Sequence, residues 1–93
     1  MGTKILIPTP LRQYTDKLDA LELKAETVGE LLNGLTQKYP VLKQHLFSED
    51  GRLRSFVNIY VNDEDIRYLK KEQTRVTGKD VVSIVPSIAG GQA

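Results

Sequence analysis

The feature that most narrows the fold is a change of hydrophobic period at Thr27. Before it, Leu21, Leu23 and Ala25 alternate with Glu22, Lys24 and Glu26, the two-residue repeat of a half-buried strand. After it, Val28, Leu31, Leu32 and Leu35 recur at i, i+3, i+4 and i+7, one stripe of an amphipathic helix. Thr27 is the expected N-cap, with Glu30 three residues on in the capping-box position that satisfies two amide N–H groups. The helix should end near Tyr39, because Pro40 disfavours helical geometry in the residue before it.

The other elements order themselves around this switch. Residues 4–7 (Lys-Ile-Leu-Ile) form a strand stopped by Pro8 and Pro10, and can pair with residues 19–26 as a hairpin. The intervening residues 11–17 are polar and read as a mobile loop. Residues 41–46 add a helical turn, with His45 on its polar side and no chemical role assigned to it. Ser48-Glu49-Asp50-Gly51 is a turn. Residues 56–61 give the clearest strand, with Val57, Ile59 and Val61 on one face and Phe56, Asn58 and Tyr60, together with Arg52 and Arg54, on the other. Asn62-Asp63-Glu64 is a turn, residues 66–69 a short strand or irregular segment, and Thr77-Gly78-Lys79-Asp80 a further turn. Residues 81–85 make the last strand, closed by Pro86. A hairpin, a crossover helix and further strands predict an α+β chain of the β-grasp, or ubiquitin-like, type: a mixed four- to five-stranded sheet with one main helix on one face. If the last strand lies beside the first it is central, and its apolar run is expected to be buried on both faces.

Composition limits the chemistry. In 93 residues there are 26 Ile, Leu and Val and a net charge of +1, enough for one small core and no general affinity for nucleic acid or membrane. There is no cysteine, which excludes a disulfide scaffold, a thiolate metal site and a cysteine nucleophile. A single histidine makes a histidine metal site or a Ser-His-Asp triad improbable, so no metal ligand and no catalytic residue is expected. No apolar run exceeds four residues, so neither a spanning helix nor a signal core is expected, and the cytoplasm is the default compartment. Charge is uneven: residues 1–51 sum to −1 and residues 52–79 to +3, a solvated face or a docking surface for an acidic partner. Residues 81–93 carry no charge.

The organisation that follows is a β-grasp domain over residues 1–86 and a flexible C-terminal tail over residues 87–93. Ser87-Ile88-Ala89-Gly90-Gly91-Gln92-Ala93 is small and uncharged after a proline. Frayed termini share that composition. The placement of the glycine pair, just past the last strand, is what points to chemistry. Without Cβ atoms, Gly90 and Gly91 can thread a narrow channel behind Ala89 and present a backbone carbonyl to reactants.

Val82-Ser83-Ile84-Val85-Pro86-Ser87-Ile88-Ala89-Gly90-Gly91 resembles the C-terminal motif of the MoaD/ThiS family of ubiquitin-like sulfur carriers. Leu11-Arg12, Thr27-Val28-Gly29-Glu30-Leu31-Leu32 and Phe56-Val57-Asn58-Ile59-Tyr60-Val61-Asn62-Asp63-Glu64-Asp65-Ile66-Arg67 extend the resemblance over nearly the whole chain. It is closest to the CysO type, the branch that supplies sulfide for cysteine synthesis. The resemblance implies a protein substrate and sulfur donor rather than an enzyme. An E1-like enzyme would adenylate the carboxylate of Gly91 with ATP, and a sulfur nucleophile would convert it to a thiocarboxylate. The chain itself would bind no cofactor, since ATP is used by the activating enzyme. Gln92 and Ala93 follow Gly91, so its carbonyl is a peptide amide and the Gly91–Gln92 bond must first be cut; a JAMM-type metalloprotease is the family-level candidate. A tail that has lost its role is the competing view.

For docking, Arg54, Phe56 and Tyr60, with Arg67 near in sequence, combine aromatic and arginine side chains of the kind that anchor interfaces, although Phe56 and Tyr60 could equally close the edge of the core. The expected partners are the E1-like enzyme, the protease and a sulfur-accepting enzyme such as a cysteine synthase, without nucleic acid or membrane. The alternatives are a small subunit of molybdopterin synthase, and a protein modifier or binding module with an inert tail.

Overall fold

The computed structural model describes residues 2–86. The chain runs β1 (Thr3–Leu6), β2 (Ala20–Leu23), α1 (Val28–Lys38), α2 (Val41–Leu46), β3 (Val57–Val61), β4 (Glu64–Asp65) and β5 (Val81–Pro86). The strands form one sheet in the order β2-β1-β5-β3-β4. β1 and β2 make the expected hairpin, with Ile5 opposite Leu21, and β5 lies parallel to β1 and antiparallel to β3. This mixed sheet with one main helix is the β-grasp arrangement, and the last strand is central.

The helix starts where the period changes. Thr27 Oγ1 accepts from the Glu30 N–H at 3.2 Å, and the Glu30 carboxylate reaches back to the Glu26 N–H at 2.9 Å, one residue earlier than a standard capping box. Val28, Leu31, Leu32 and Leu35 are wholly buried against Ile5, Ile59, Val82 and Ile84 on the inner face of the sheet. Each such side chain contributes about 1.5–3 kcal/mol relative to exposure, which makes this face the main source of stability. At Gly29 an added Cβ would stand 3.2 Å from the Glu72 carbonyl oxygen, so the first turn of α1 packs backbone to backbone on the 3-10 turn Lys71–Gln73. The helix ends at Lys38, one residue before Tyr39, as Pro40 requires.

Three local expectations are corrected. Residues 11–17 are not an irregular polar loop: residues 11–14 belong to a 3-10 turn, Thr9–Tyr14, and Leu11 and the following Thr15 are buried. Arg12 Nε donates to the Ile7 carbonyl at 3.0 Å, and Thr15 Oγ1 donates to the carbonyls of Arg12 and Leu18, so the polar groups are consumed internally. Residues 62–69 rearrange as well. Glu64, assigned to the turn, belongs to β4; Asn62 and Asp63, both at positive φ, form the two-residue connection; and residues 66–68 are a 3-10 turn rather than a strand. Finally, β5 is buried on one face only. Val82 and Ile84 point into the core, whereas Val85 is 43% exposed on the outer face. Its apolar run reflects a largely unpolar outer face rather than a second covering layer.

Candidate functional site

Ala89, Gly90, Gly91 and Gln92, the tail residues singled out by the sequence, lie outside the described residues. Their root is well defined. β5 brings the chain to Pro86, which stands opposite Val57, the first residue of β3. Val57 turns its N–H away from β5, to the Arg54 carbonyl at 2.9 Å, so the described part of the β3–β5 ladder ends at this pair.

Around this root lies a groove of about 400 Å³ lined by Pro10, Leu11, His45, Arg54, Phe56 and Pro86, among others. The 3-10 turn Thr9–Tyr14 supplies one wall, α2 a second, and the residues entering β3 the third. Arg54 is fixed by donating its Nε–H to the Gln44 carbonyl at 2.9 Å and its backbone N–H to the Leu46 carbonyl at 2.9 Å. His45 stacks on Tyr14 with ring centroids 4.5 Å apart and 22° between planes, so the imidazole acts as part of the wall. Phe56 is 38% exposed and lies outside the core cluster.

The four predicted docking residues are spread over linked surface features. Arg54 and Phe56 sit together at the root groove, Tyr60 and Arg67 line a separate depression, and Arg54 and Arg67 both border a cleft of about 310 Å³. Phe56 and Tyr60 are four residues apart along an extended chain, roughly 13 Å. At the depression lined by Tyr60 and Arg67, Asp65 stands opposite Tyr60 and is buried, and Arg67 caps it: Nη2 to Asp65 Oδ2 at 2.8 Å, with the Arg67 N–H on Oδ1 at 2.8 Å. Arg67 Nη2 also donates to Asn58 Oδ1 at 2.6 Å, bracing the outer face of β3. Hydrogen bonding from Arg67 holds the Asp65 carboxyl below the usual aspartate range and raises the guanidinium in return. Two contributors escaped the sequence reading. Asp65 falls between the turn at 62–64 and the segment at 66–69, and its role depends on the β4 pairing. Tyr68, beside Arg67, is 85% exposed, and its place in a polar run concealed it.

The basic stretch is partly matched: Arg52, Arg67 and Arg75 face Asp50, Asp65 and Glu26 respectively. Among the described residues no group of three or more His, Cys, Asp or Glu is placed to hold a metal ion, and no helix is long and apolar enough to cross a membrane. What the site offers is a shaped, partly apolar surface around the root of the tail, with fixed arginines at its margins.

Comparison with known proteins decides the family, since the sequence matches the ThiS family over residues 5–91, nearly its full length. The chain belongs to the ThiS family. It is 37% identical over 93 residues to the sulfur carrier protein CysO of Mycobacterium tuberculosis, covering 98% of this chain and 100% of that protein. A chain in the crystal structure of the Amycolatopsis orientalis BexX/CysO complex superimposes with a TM-score of 0.86 at 34% identity, covering 97% of this chain and 100% of that one. The small archaeal modifier protein 1 of Methanosarcina acetivorans does so with a TM-score of 0.84 at 31% identity, covering 97% and 96%. The ThiS-family match ends on Gly91 and leaves Gln92 and Ala93 outside it.

Proposed function

We propose that this ThiS-family chain is a CysO-like sulfur carrier whose cargo rides on the carboxyl group of Gly91. The observation that carries this reading is the coincidence of the family match ending on Gly91 with a central strand that leads directly into that segment. Peptide cleavage between Gly91 and Gln92, assigned to a JAMM-type metalloprotease, frees the Gly91 carboxylate. A carboxylate oxygen then attacks the α-phosphate of ATP on an E1-like enzyme and pyrophosphate leaves. The acyl adenylate so formed is open to a sulfur nucleophile: the carbon–sulfur bond forms, AMP departs, and a thiocarboxylate results. ATP belongs to the activating enzyme. The described residues supply no general acid or base to this sequence; they supply a recognisable surface and hold the reactive end close to its partners, which raises its local concentration.

Arg54 and Phe56 at the root groove, and Tyr60 and Arg67 beyond it, are the residues assigned to partner docking. Similarity to CysO supports sulfur delivery in cysteine synthesis, with a cysteine synthase as the receiver and the cytoplasm as the compartment. Intact-mass measurement of the protein from its own host tests the reading: it predicts a species ending at Gly91, part of it carrying sulfur in place of one oxygen. A chain that retains Gln92 and Ala93 while the pathway is active contradicts it.

The likeness to small archaeal modifier protein 1 favours one other reading, attachment of Gly91 to lysines of target proteins. That reading predicts higher-mass conjugates that persist under reducing agent, whereas a carrier gives none.

A further inference from the structure

The sheet ends in β4 on one side and β2 on the other. β2, Ala20–Leu23, is the longer edge, and beyond it there is no strand among the described residues. Its pairing with β1 fixes which peptide groups face that open side. Ile7 donates its N–H to the Asp19 carbonyl at 2.9 Å, with Ile5 opposite Leu21 and Thr3 opposite Leu23, so residues 19, 21 and 23 turn toward β1. Ala20 and Glu22 therefore turn their N–H and C=O groups outward, and the extended chain carries that direction to Lys24. Exposure alternates in step: Glu22 and Lys24 are exposed, while Leu21, Leu23 and Ala25 are half-buried. No hydrogen bond to a described residue occupies the outward groups of Ala20, Glu22 or Lys24, and neither Glu22 nor Lys24 forms an ion pair with a described residue. The open stretch stops before Glu26, whose carbonyl accepts the Val76 N–H at 3.0 Å and whose N–H donates to the Glu30 carboxylate.

Charges on an edge strand ordinarily discourage pairing. Here they alternate in sign, and the alternation separates the registers open to two antiparallel copies of β2. Only outward-facing residues can bond across the seam, so Glu22 can meet Ala20, Glu22 or Lys24 of the second copy. Glu22 on Glu22 sets like charges opposite each other, and Glu22 on Ala20 leaves the carboxylate unmatched. Glu22 on Lys24 sets opposite charges together, and the two-fold axis repeats the pair. On the core side this register places Leu23 on its own counterpart and Leu21 on Ala25, the half-buried residues that pack against the core from this edge. With a net charge of +1, two copies repel one another little.

We propose that β2 is a self-association edge, at which a second copy of the chain pairs antiparallel with Glu22 opposite Lys24. Glu22 donates its N–H to the Lys24 carbonyl of the second copy and accepts that lysine's N–H, and symmetry repeats both bonds. The two sheets become one. β5 stands two strand positions from the seam, roughly 10 Å, and none of the residues lining the root groove comes from β2. Because the copies run in opposite directions, the two Pro86 roots lie toward opposite ends of the joined sheet. One body thus presents two tail roots, which raises the effective concentration of the second at a partner that has two sites. The inference goes beyond the carrier reading and needs no chemistry at Gly91, so each can fail without the other.

The test is sedimentation equilibrium of the full chain from micromolar to millimolar concentration, with amide NMR shifts followed over the same range. We expect a rise toward twice the monomer mass and concentration-dependent shifts centred on residues 20–25. Glu22→Lys or Lys24→Glu alone sets two like-charge pairs across the seam and should weaken association about tenfold, whereas the double exchange rebuilds both pairs and should restore it to within about threefold. Both positions are exposed, and circular dichroism of each variant confirms that the fold is kept. A chain that stays monomeric at millimolar concentration would overturn the proposal, as would shifts centred on another face. Single reversals without effect, or a double exchange that fails to restore association, would overturn it equally.

Discussion

The two ends of the β3–β5 pair are built in opposite ways. At one end the chain is latched. Asn62 donates Nδ2–H to Asp80 at 2.7 Å and accepts the Val81 N–H on Oδ1 at 3.0 Å, while Asp80 accepts the Thr77 N–H at 2.7 Å. Asn62 and Asp63 adopt the positive φ values of 51° and 76° that their residue types tolerate, which closes the hairpin into β4. At the other end Phe56 and Val85 are exposed, and the root groove opens beside Pro86. One end of the pair is fastened by side-chain hydrogen bonds and the other carries exposed apolar side chains.

Substitutions should separate the two ends. Ile84→Ala removes a buried side chain from the middle of the pair and should cost about 2–5 kcal/mol of stability, read by chemical denaturation. Asn62→Gly removes the latch side chain while keeping the positive φ and should cost about 1–2 kcal/mol, with no effect on partner binding at the far end. Acid should act on the latch as well. Hydrogen bonds, from Asn62 first and then Thr77, hold the Asp80 carboxyl below the ordinary aspartate range. A group with a depressed folded pKa stabilises above its unfolded value, about 3.9, and loses that contribution as pH falls through the folded value. Stability should therefore decline below about pH 4, less steeply in Asp80→Asn. Phe56→Ala at the open end should change stability by less than about 1 kcal/mol, given its exposure, yet slow adenylation of the processed chain. If circular dichroism shows that variant unfolded, Phe56 belongs to the core and the docking assignment fails.

The latched end and the core were largely legible in sequence because local rules agree there. The period change at Thr27, the cap with Glu30, the stop at Pro40 and the alternation of Val57, Ile59 and Val61 each point to the observed element. The misses share a cause. Residues 11–17 become ordered through hydrogen bonds from Arg12 and Thr15, side chains whose partners no periodicity reveals. β5 was assigned two buried faces because Val85 is apolar, and only the sheet order shows that its outer face lacks a cover. Phe56 and Tyr60 fall at separate surface features because of their spacing along the chain, which residue type alone does not show.

The most direct test uses two forms of the chain, residues 1–91 and residues 1–93, each incubated with ATP, sulfide and the E1-like enzyme of the same host and then weighed intact by mass spectrometry. The account predicts exchange of one oxygen for sulfur in the form ending at Gly91, and an unchanged mass for the form that retains Gln92 and Ala93. A sulfur-bearing longer form, or no exchange in the shorter one with an enzyme that is active on its other substrates, would contradict it.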